Sequence, residues 1–323
     1  MALTVVLHAD DFGLNQAVTD GILRGFTHGL LTSTSVLANA PYAAPALAAW
    51  QQLARRGSDN WPSLTLRREL DDARRPADMG VHLNLTQGRP LTGEKYPAAL
   101  LDREGRFPGI FALYATLRRS QGQRYAPQVR DELAAQIAWT VDHGVQPTHL
   151  NGHQYVELLP VVSGLLPELL SRFAIPTVRV ALEPALARTT LAHGFRLREW
   201  MLARVKHYYA RQFAASPATA IAAAPQCFFG TAHAGRLNLR TIDLFLSRAG
   251  SDQTVEIGMH PGLADERVRP NEISDGWHDP LSARRPEELA LLESPRLAER
   301  LKSRRVTLGR LADLHRQIRR AAA

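Results

Sequence analysis

The chain has 323 residues, 45% of them hydrophobic and 22% charged, with one cysteine and a formal net charge of +8 at pH 7. Such a length can bury a full core in one large α/β domain or two smaller ones, and a lone thiol excludes both an internal disulfide framework and a zinc site built on several thiolates. No run approaches the roughly 18 apolar residues of a membrane span, and the N-terminus lacks the basic segment and apolar core of a secretory signal, so a cytoplasmic location is expected.

The positive charge is nearly all arginine, with lysine only at 95, 206 and 302, and acids are mixed through it, as in the run 67–75. A mixed run of this kind is a solvated face or loop. Nucleic acid is therefore not expected as a partner, and attraction to phosphate or a membrane surface is a minor reading.

In chain order, the apolar run 3–7 passes straight into His8-Ala9-Asp10-Asp11-Phe12-Gly13. Adjacent carboxylates repel, and each makes the other harder to ionise; a buried strand ending in two of them needs a compensating partner. Short apolar runs at 3–8, 32–38, 79–84, 147–151, 177–181, 225–229 and 254–259 predict strands. Helix-patterned stretches at 15–29, 41–56, 126–143, 159–173 and 238–250 lie between several of them, with a last pair near 285–303 and 307–320. Strand-then-helix order predicts a parallel sheet, either open and doubly wound or closed as a barrel.

Two segments break this rhythm. Residues 57–78 are polar and contain proline, which predicts an excursion before the third strand. Residues 183–224 hold a helix pattern over 197–213 and an alanine-rich stretch after it, which predicts a helical cap insertion. With no internal repeat and no linker, 1–323 reads as a single domain.

Metal-competent residues recur at the downstream ends of the proposed strands: Asp10 and Asp11, then His82, then His149, Asn151 and His153, then His260. In parallel α/β folds those ends open on one face, so residues far apart in the chain can converge. One carboxylate with two imidazoles suits a divalent cation that keeps a position for water, and a cation on one acid lets its neighbour stay ionised. Each piece alone has a plainer reading. His82 fits a hydrogen-bonded core histidine, His8 a strand residue, and the 10–13 segment a turn and helix cap. His149 and His153 share a face only in a helix, whereas Pro147 favours a strand running into a loop, which leaves one of them structural. Arg179 could orient Asp10, grip substrate or pair with Glu183, and His260 is either a catalytic acid or a structural residue beside Pro261. Trp50, Trp61, Trp200, Tyr208 and Tyr209 offer rings for sugar stacking or for packing.

Together, the blocks at 9–13 (ADDFG), 29–35 (GLLTSTS), 80–86 (GVHLNLT), 148–153 (THLNGH) and 256–262 (EIGMHPG) resemble the YdjC-like carbohydrate deacetylase family, nearest its hopanoid-biosynthesis-associated branch. The resemblance runs from about residue 3 to about residue 310 and is poorest over 57–78 and parts of 183–224. It implies a distorted (β/α) TIM-like barrel that binds one divalent cation, magnesium or zinc, and hydrolyses the N-acetyl group of an amino sugar. A lipid-linked substrate and a homodimer are left open. By motif position it implies Asp11, His82 and His153 as metal ligands and Asp10 as catalytic base. Asn84, Arg179 and Tyr155 are the candidate substrate-binding residues, and His260 is the candidate acid. Family members often carry further histidines at alternate places after the position of His153; this chain has Gln154-Tyr155-Val156-Glu157, which alters that part of the site. A metal-dependent phosphoesterase and a non-catalytic sugar-binding protein are the rival readings of the same residues.

Overall fold

The structure is a computed structural model that describes residues 3–56, 66, 70, 78–119, 123–184, 197–264 and 275–314. Eight strands are β1 Thr4–Phe12, β2 Ser33–Val36, β3 Asp78–Leu83, β4 His149–Gly152, β5 Thr177–Val178, β6 Cys227–Phe229, β7 Thr254–Met259 and β8 Thr307–Leu308. They form one sheet in the order β5-β4-β3-β2-β1-β7-β6, and every pairing is parallel. β2 meets β1 only from His8 onward, and β8 pairs with Thr4 and Val5. The helices among the described residues include α1 Gln16–Thr27, α2 Ala43–Arg56, α3 Ile110–Arg119, α4 Ala126–Asp142, α5 Pro160–Arg172, α6 Leu197–Ala214, α7 Pro217–Ile221, α8 Leu239–Leu246, α9 Arg285–Leu292 and α10 Pro295–Ser303.

The pleat explains why the strands look apolar yet carry charge. Successive residues of a strand face opposite sides. Val5, Leu7 and Ala9 of β1 and Val255, Ile257 and Met259 of β7 point outward into one apolar cluster with Ile22, Phe26, Leu292 and Leu297. Val81, Leu83, Leu150 and Val178 do the same for the other half of the sheet, against Leu133, Ile137, Leu166 and Leu169. The alternate positions, among them His8, Asp10, His149, Arg179 and Glu256, are buried in a polar interior. Val6, Ala223, Leu311 and Leu314 form a separate small apolar cluster.

The sheet is curled: His8 of β1 touches His149 of β4 although β2 and β3 lie between those strands. It is not closed. β5 and β6 are its two ends, drawn together by a single bridge between Thr177 and Ala223 and by the Phe228 N–H donating to the Leu182 carbonyl at 3.1 Å. Among the described residues the expected α/β barrel is thus present as a curled, all-parallel half-barrel sheet, open between β5 and β6.

All seven expected strands are present. The expected helix at 307–320 instead begins as β8, and its residues 315–320 lie outside the described residues. Helix α3 was not expected. Most of the 57–78 excursion, Trp61 and residues 185–196 of the expected cap insertion also lie outside the described residues. Trp50 is a core residue, edge-on to Phe12 and Phe26. Cys227 is a buried free thiol whose Sγ lies 3.3 Å from Gln253 Oε1, in keeping with a structural role. No helix among the described residues is long and apolar enough to cross a membrane.

Candidate active site and metal centre

Two adjacent strand residues should face opposite sides of the sheet, yet Asp10 and Asp11 both serve one site. The backbone resolves this. The β1–β2 register shifts between Ala9 and Phe12, and Asp11 takes a left-handed φ of 69°. A bulge re-aims the side chain it carries, and a left-handed non-glycine residue stores strain of the sort that clusters at functional sites. The helix-cap reading of this segment does not hold: the cap of α1 is Asn15, whose side chain accepts the Val18 N–H at 2.8 Å. Both carboxylates are therefore free for other partners.

Asp11, His82 and His153 each offer a ligand atom, and these atoms all lie within 4.8 Å of one another. Asp11 Oδ1 is 3.5 Å from His82 Nε2 and 3.1 Å from His153 Nδ1. A carboxylate oxygen with two imidazole nitrogens is a donor set that suits a divalent cation, and neighbouring groups prepare it. His82 Nδ1 lies 3.0 Å from Asn151 Oδ1, and the Asn151 amide donates to Asp10 Oδ1 at 3.0 Å. The amide orientation fixes the tautomer of a neutral His82: its proton sits on Nδ1, donated to Asn151, and Nε2, facing Asp11, is the nitrogen left for a ligand, the usual support for a ligating histidine. Arg285 Nη2 donates to Asp11 Oδ2 at 2.7 Å, leaving Oδ1 as the ligand atom, while Asp279 holds the same guanidinium at 2.6 and 3.0 Å. Gln87 accepts the His278 N–H through Oε1 and so turns its Nε2 donor to His153 Nε2 at 3.1 Å, which puts the proton of a neutral His153 on Nδ1, against Asp11 Oδ1; unlike His82, His153 is ready for a cation at Nδ1 only once that proton has left. Burial alone would raise the pKa of Asp11, but Arg285 and the two histidines outweigh it and hold the carboxyl well below the usual range.

Asp10 stands beside this centre in a different setting. Both its oxygens accept from Arg179, Oδ2 from Nη1 and Oδ1 from Nη2, each at 2.8 Å, and the same guanidinium donates from Nε to Glu256 Oε1 at 2.8 Å. Burial would again raise Asp10, but Arg179 overrides it and keeps the carboxylate ionised. Arg179 thus holds Asp10 in place, as one of its expected roles requires. Glu183 instead accepts the Thr231 N–H. His260 Nε2 is 3.9 Å from Asp10 Oδ2; its backbone N–H donates to Glu288, and its ring Nδ1 has no partner among the described residues.

The remaining candidates sit further out. Asn84 uses its side chain to hold a turn: Oδ1 accepts the N–H groups of Thr86 and Gln87, and Nδ2 donates to Asn39 Oδ1 and the Gln87 carbonyl. It thereby places Gln87 against His153. Tyr155 is half-buried with φ of 63°, and Lys206 of α6 lies 4.1 Å over its ring. His149 points away from His153 into the polar interior, where it meets His8. Tyr209 bonds Tyr114 through the two hydroxyls at 2.6 Å, which makes it a packing residue.

Glu157 is completely buried, and neither carboxyl oxygen has a hydrogen-bond partner among the described residues. Burial, only partly offset by Arg179, pushes its pKa from 4.5 up to about 7. The unfolded chain ionises this group from about 4.5 while the folded chain keeps its proton to about 7, so its contribution to stability is lost as pH rises through that window. The full effect is roughly 3 kcal/mol. Glu157→Gln is expected to match the parent near pH 4 and to be more stable than it by about that amount at pH 8.5, as read from urea unfolding at both values. Equal stability of the two proteins at pH 8.5 would show that Glu157 is charged and paired.

Comparison with known proteins finds relatives over nearly the whole chain. A model of the family described as YdjC-like protein matches residues 4–303. A human protein named carbohydrate deacetylase is 29% identical over 338 residues, covering 97% of this chain and 91% of that one. One of the same name from Geobacillus stearothermophilus is 28% identical and covers 94% of each chain. A mouse protein of that name is 34% identical over 181 residues, and the matched part spans about half of its length, 51%. A crystal structure from Enterococcus faecalis V583, described as that of a candidate cellobiose-phosphate cleavage protein, superposes with a TM-score of 0.69 at 20% identity over 97% of this chain and 99% of that one, a likeness of fold alone. With a family match that spans nearly its whole length and takes in every strand-end block of the site, the chain belongs to the YdjC-like protein family.

Proposed function

We propose that the protein is a divalent-cation-dependent hydrolase that removes the N-acetyl group from an N-acetylated amino sugar. The observation that carries this reading is the pairing of a carboxylate-and-two-imidazole cluster with a second carboxylate held ionised by arginine. The relatives named carbohydrate deacetylase support the reaction class. An unactivated amide resists hydrolysis because water is a poor nucleophile and an amine a poor leaving group, so help is needed at both ends.

Asp11, His82 and His153 would hold the cation. Bound there, a divalent cation acidifies a water and polarises an acyl oxygen. Asp10 is the base: its carboxylate, fixed by the Arg179 fork and by Asn151, takes the proton as water attacks the carbonyl. His260 is the acid. Its ring faces Asp10 from the end of β7 and gives a proton to the departing nitrogen, so that the products are acetate and the amino sugar. Tyr155, with Lys206 over its ring, borders the sugar, and Asn84 acts indirectly by holding the Gln87 turn. The resemblance to the hopanoid-associated branch supports including lipid-linked sugars among the substrates.

The test is to strip and restore metal and to measure free amine released from N-acetylglucosamine, its oligosaccharides and N-acetylglucosaminyl lipids. Metal-restored release is expected from at least one of them. Absence of release with magnesium, zinc, manganese and cobalt across that panel would overturn the reading, and hydrolysis of a generic phosphodiester in its place would favour the phosphoesterase.

A further inference from the structure

The proposed reaction leaves a set of buried polar groups in the barrel interior without a task. His8 and His149 are fully buried and Asp78 nearly so. They are joined end to end. Arg179 Nη2 lies 2.8 Å from His8 Nδ1; His8 Nε2 lies 2.8 Å from His149 Nε2; His149 Nδ1 lies 2.8 Å from Thr148 Oγ1; and Thr148 Oγ1 lies 3.1 Å from Asp78 Oδ2.

The two ends are fixed in kind. Arginine has only donors, and an ionised carboxylate has only acceptors. His8 Nδ1 must therefore present a lone pair to Arg179, so a neutral His8 carries its proton on Nε2 and donates to His149 Nε2. His149 in turn carries its proton on Nδ1 and donates to the Thr148 hydroxyl, whose own hydrogen has only acceptors before it, Asp78 Oδ2 and the Met79 carbonyl, each at 3.1 Å. No link can be reversed alone. A charged His8 would set an N–H against Arg179 Nη2, and a charged His149 would set two N–H groups against each other at 2.8 Å.

The groups that face His8 come from four strands or their ends: Asp10 Oδ1 at 3.1 Å on its own strand, Glu256 Oε1 at 3.9 Å from β7, Arg179 after β5 and His149 from β4. Asp10 is the rival partner for Nδ1, but Arg179 is nearer and cannot turn acceptor. Burial and then Arg179 lower the His8 pKa to about 4, in agreement with a neutral ring. At the far end Asp78 is anchored by the Ser33 hydroxyl and by the Ala312 N–H at 2.9 Å.

We propose that Thr148, His8 and His149 form a one-way hydrogen-bonded chain, anchored on Asp78, that crosses the barrel interior and holds Arg179 in the single orientation that fixes Asp10. They are positioning residues: none touches the reacting atoms. The chain works by keeping both imidazoles neutral, which leaves the positive charge on the guanidinium directed at Asp10 and Glu256. The kinetic consequence rests on the proposed function, whereas the proton placement does not.

The direct test is long-range proton–nitrogen NMR on protein labelled with 15N-histidine, with the two rings assigned by single replacement. His8 is expected as the neutral Nε2–H tautomer from pH 5 to 8 and His149 as the Nδ1–H tautomer. His8 charged in that range, or either ring in the opposite tautomer, overturns the proposal whatever the protein hydrolyses. A second test removes one link with little change of shape. Thr148→Val is expected to lower kcat for deacetylation about tenfold, with KM within twofold and cation affinity unchanged by calorimetry, and Thr148→Ser to restore it. A Thr148→Val protein with the parent's kcat and the parent's histidine spectrum would also sink the chain. Failure of the parent to deacetylate anything would remove the proposed function and leave the tautomer test standing.

Discussion

Asp10→Asn is expected to lower turnover of an N-acetylated amino sugar by about a thousandfold while the cation still binds. A positioned base contributes typically 10²–10⁴ to the rate, and Asp10 combines a carboxylate held ionised by Arg179 with a link through Asn151 to His82 of the ligand cluster. Glu256 is ionisable and near, but its Oε1 already accepts from Arg179, and in the β1–β7 register it is level with Val6, four residues before Asp10. The replacement also removes a charge from a buried ion pair. Arg179 keeps Glu256 as counter-charge, so the loss of stability should be at the lower end of the 3–5 kcal/mol seen when a buried pair is broken outright. Thermal unfolding, single-turnover kinetics and calorimetric titration with zinc on the same preparation separate these effects. Turnover within tenfold of the parent would mean that the base lies elsewhere.

How much of this was legible in the sequence depends on which side of the sheet a residue occupies. The strands were legible because outward positions such as Leu7, Ala9, Ile257 and Met259 keep each run apolar, and the site was legible because its members end those runs. Asp11, His82 and His153 meet as the strand-end argument requires. The inward positions were harder to read. Glu256 within β7 and His8 within β1 interrupt apolar runs at every second residue, a signal of a polar interior that a reading of overall hydrophobicity passes over. The supports of the site carry no local mark at all. Arg285 follows Arg284 and precedes Pro286 in a stretch that looks like a solvated helix start, yet it is buried on Asp11 and Asp279. Gln87 and Asn151 matter only through partners tens of residues away. The short β8 was missed because two residues set no period; it exists because β1 has an edge free below β2.

Asp11→Asn and His82→Ala should each weaken cation binding by at least about a hundredfold, and the order of losses along the site matters more than any one value. Asp11 is the only anionic member of the three proposed ligands. Its neutralisation would leave the Arg285 guanidinium, 2.7 Å from Oδ2, balanced by Asp279 alone and able to repel the incoming cation. His82→Ala removes a donor outright. Asn151→Ala keeps all three ligands but frees His82 to take the other tautomer, and loss of such a supporting contact costs typically 10–100-fold in metal affinity. Asp10→Asn touches the centre only through Asn151 and should cost least, within about threefold. Calorimetric titration of the four variants with zinc and manganese reads this order without reference to any substrate. If Asp10→Asn weakened binding as much as Asp11→Asn, Asp10 would be a ligand and no base would remain next to the cluster. An Asn151→Ala protein that bound the cation as tightly as the parent would show that the His82 tautomer is set by the ion and not by the fold.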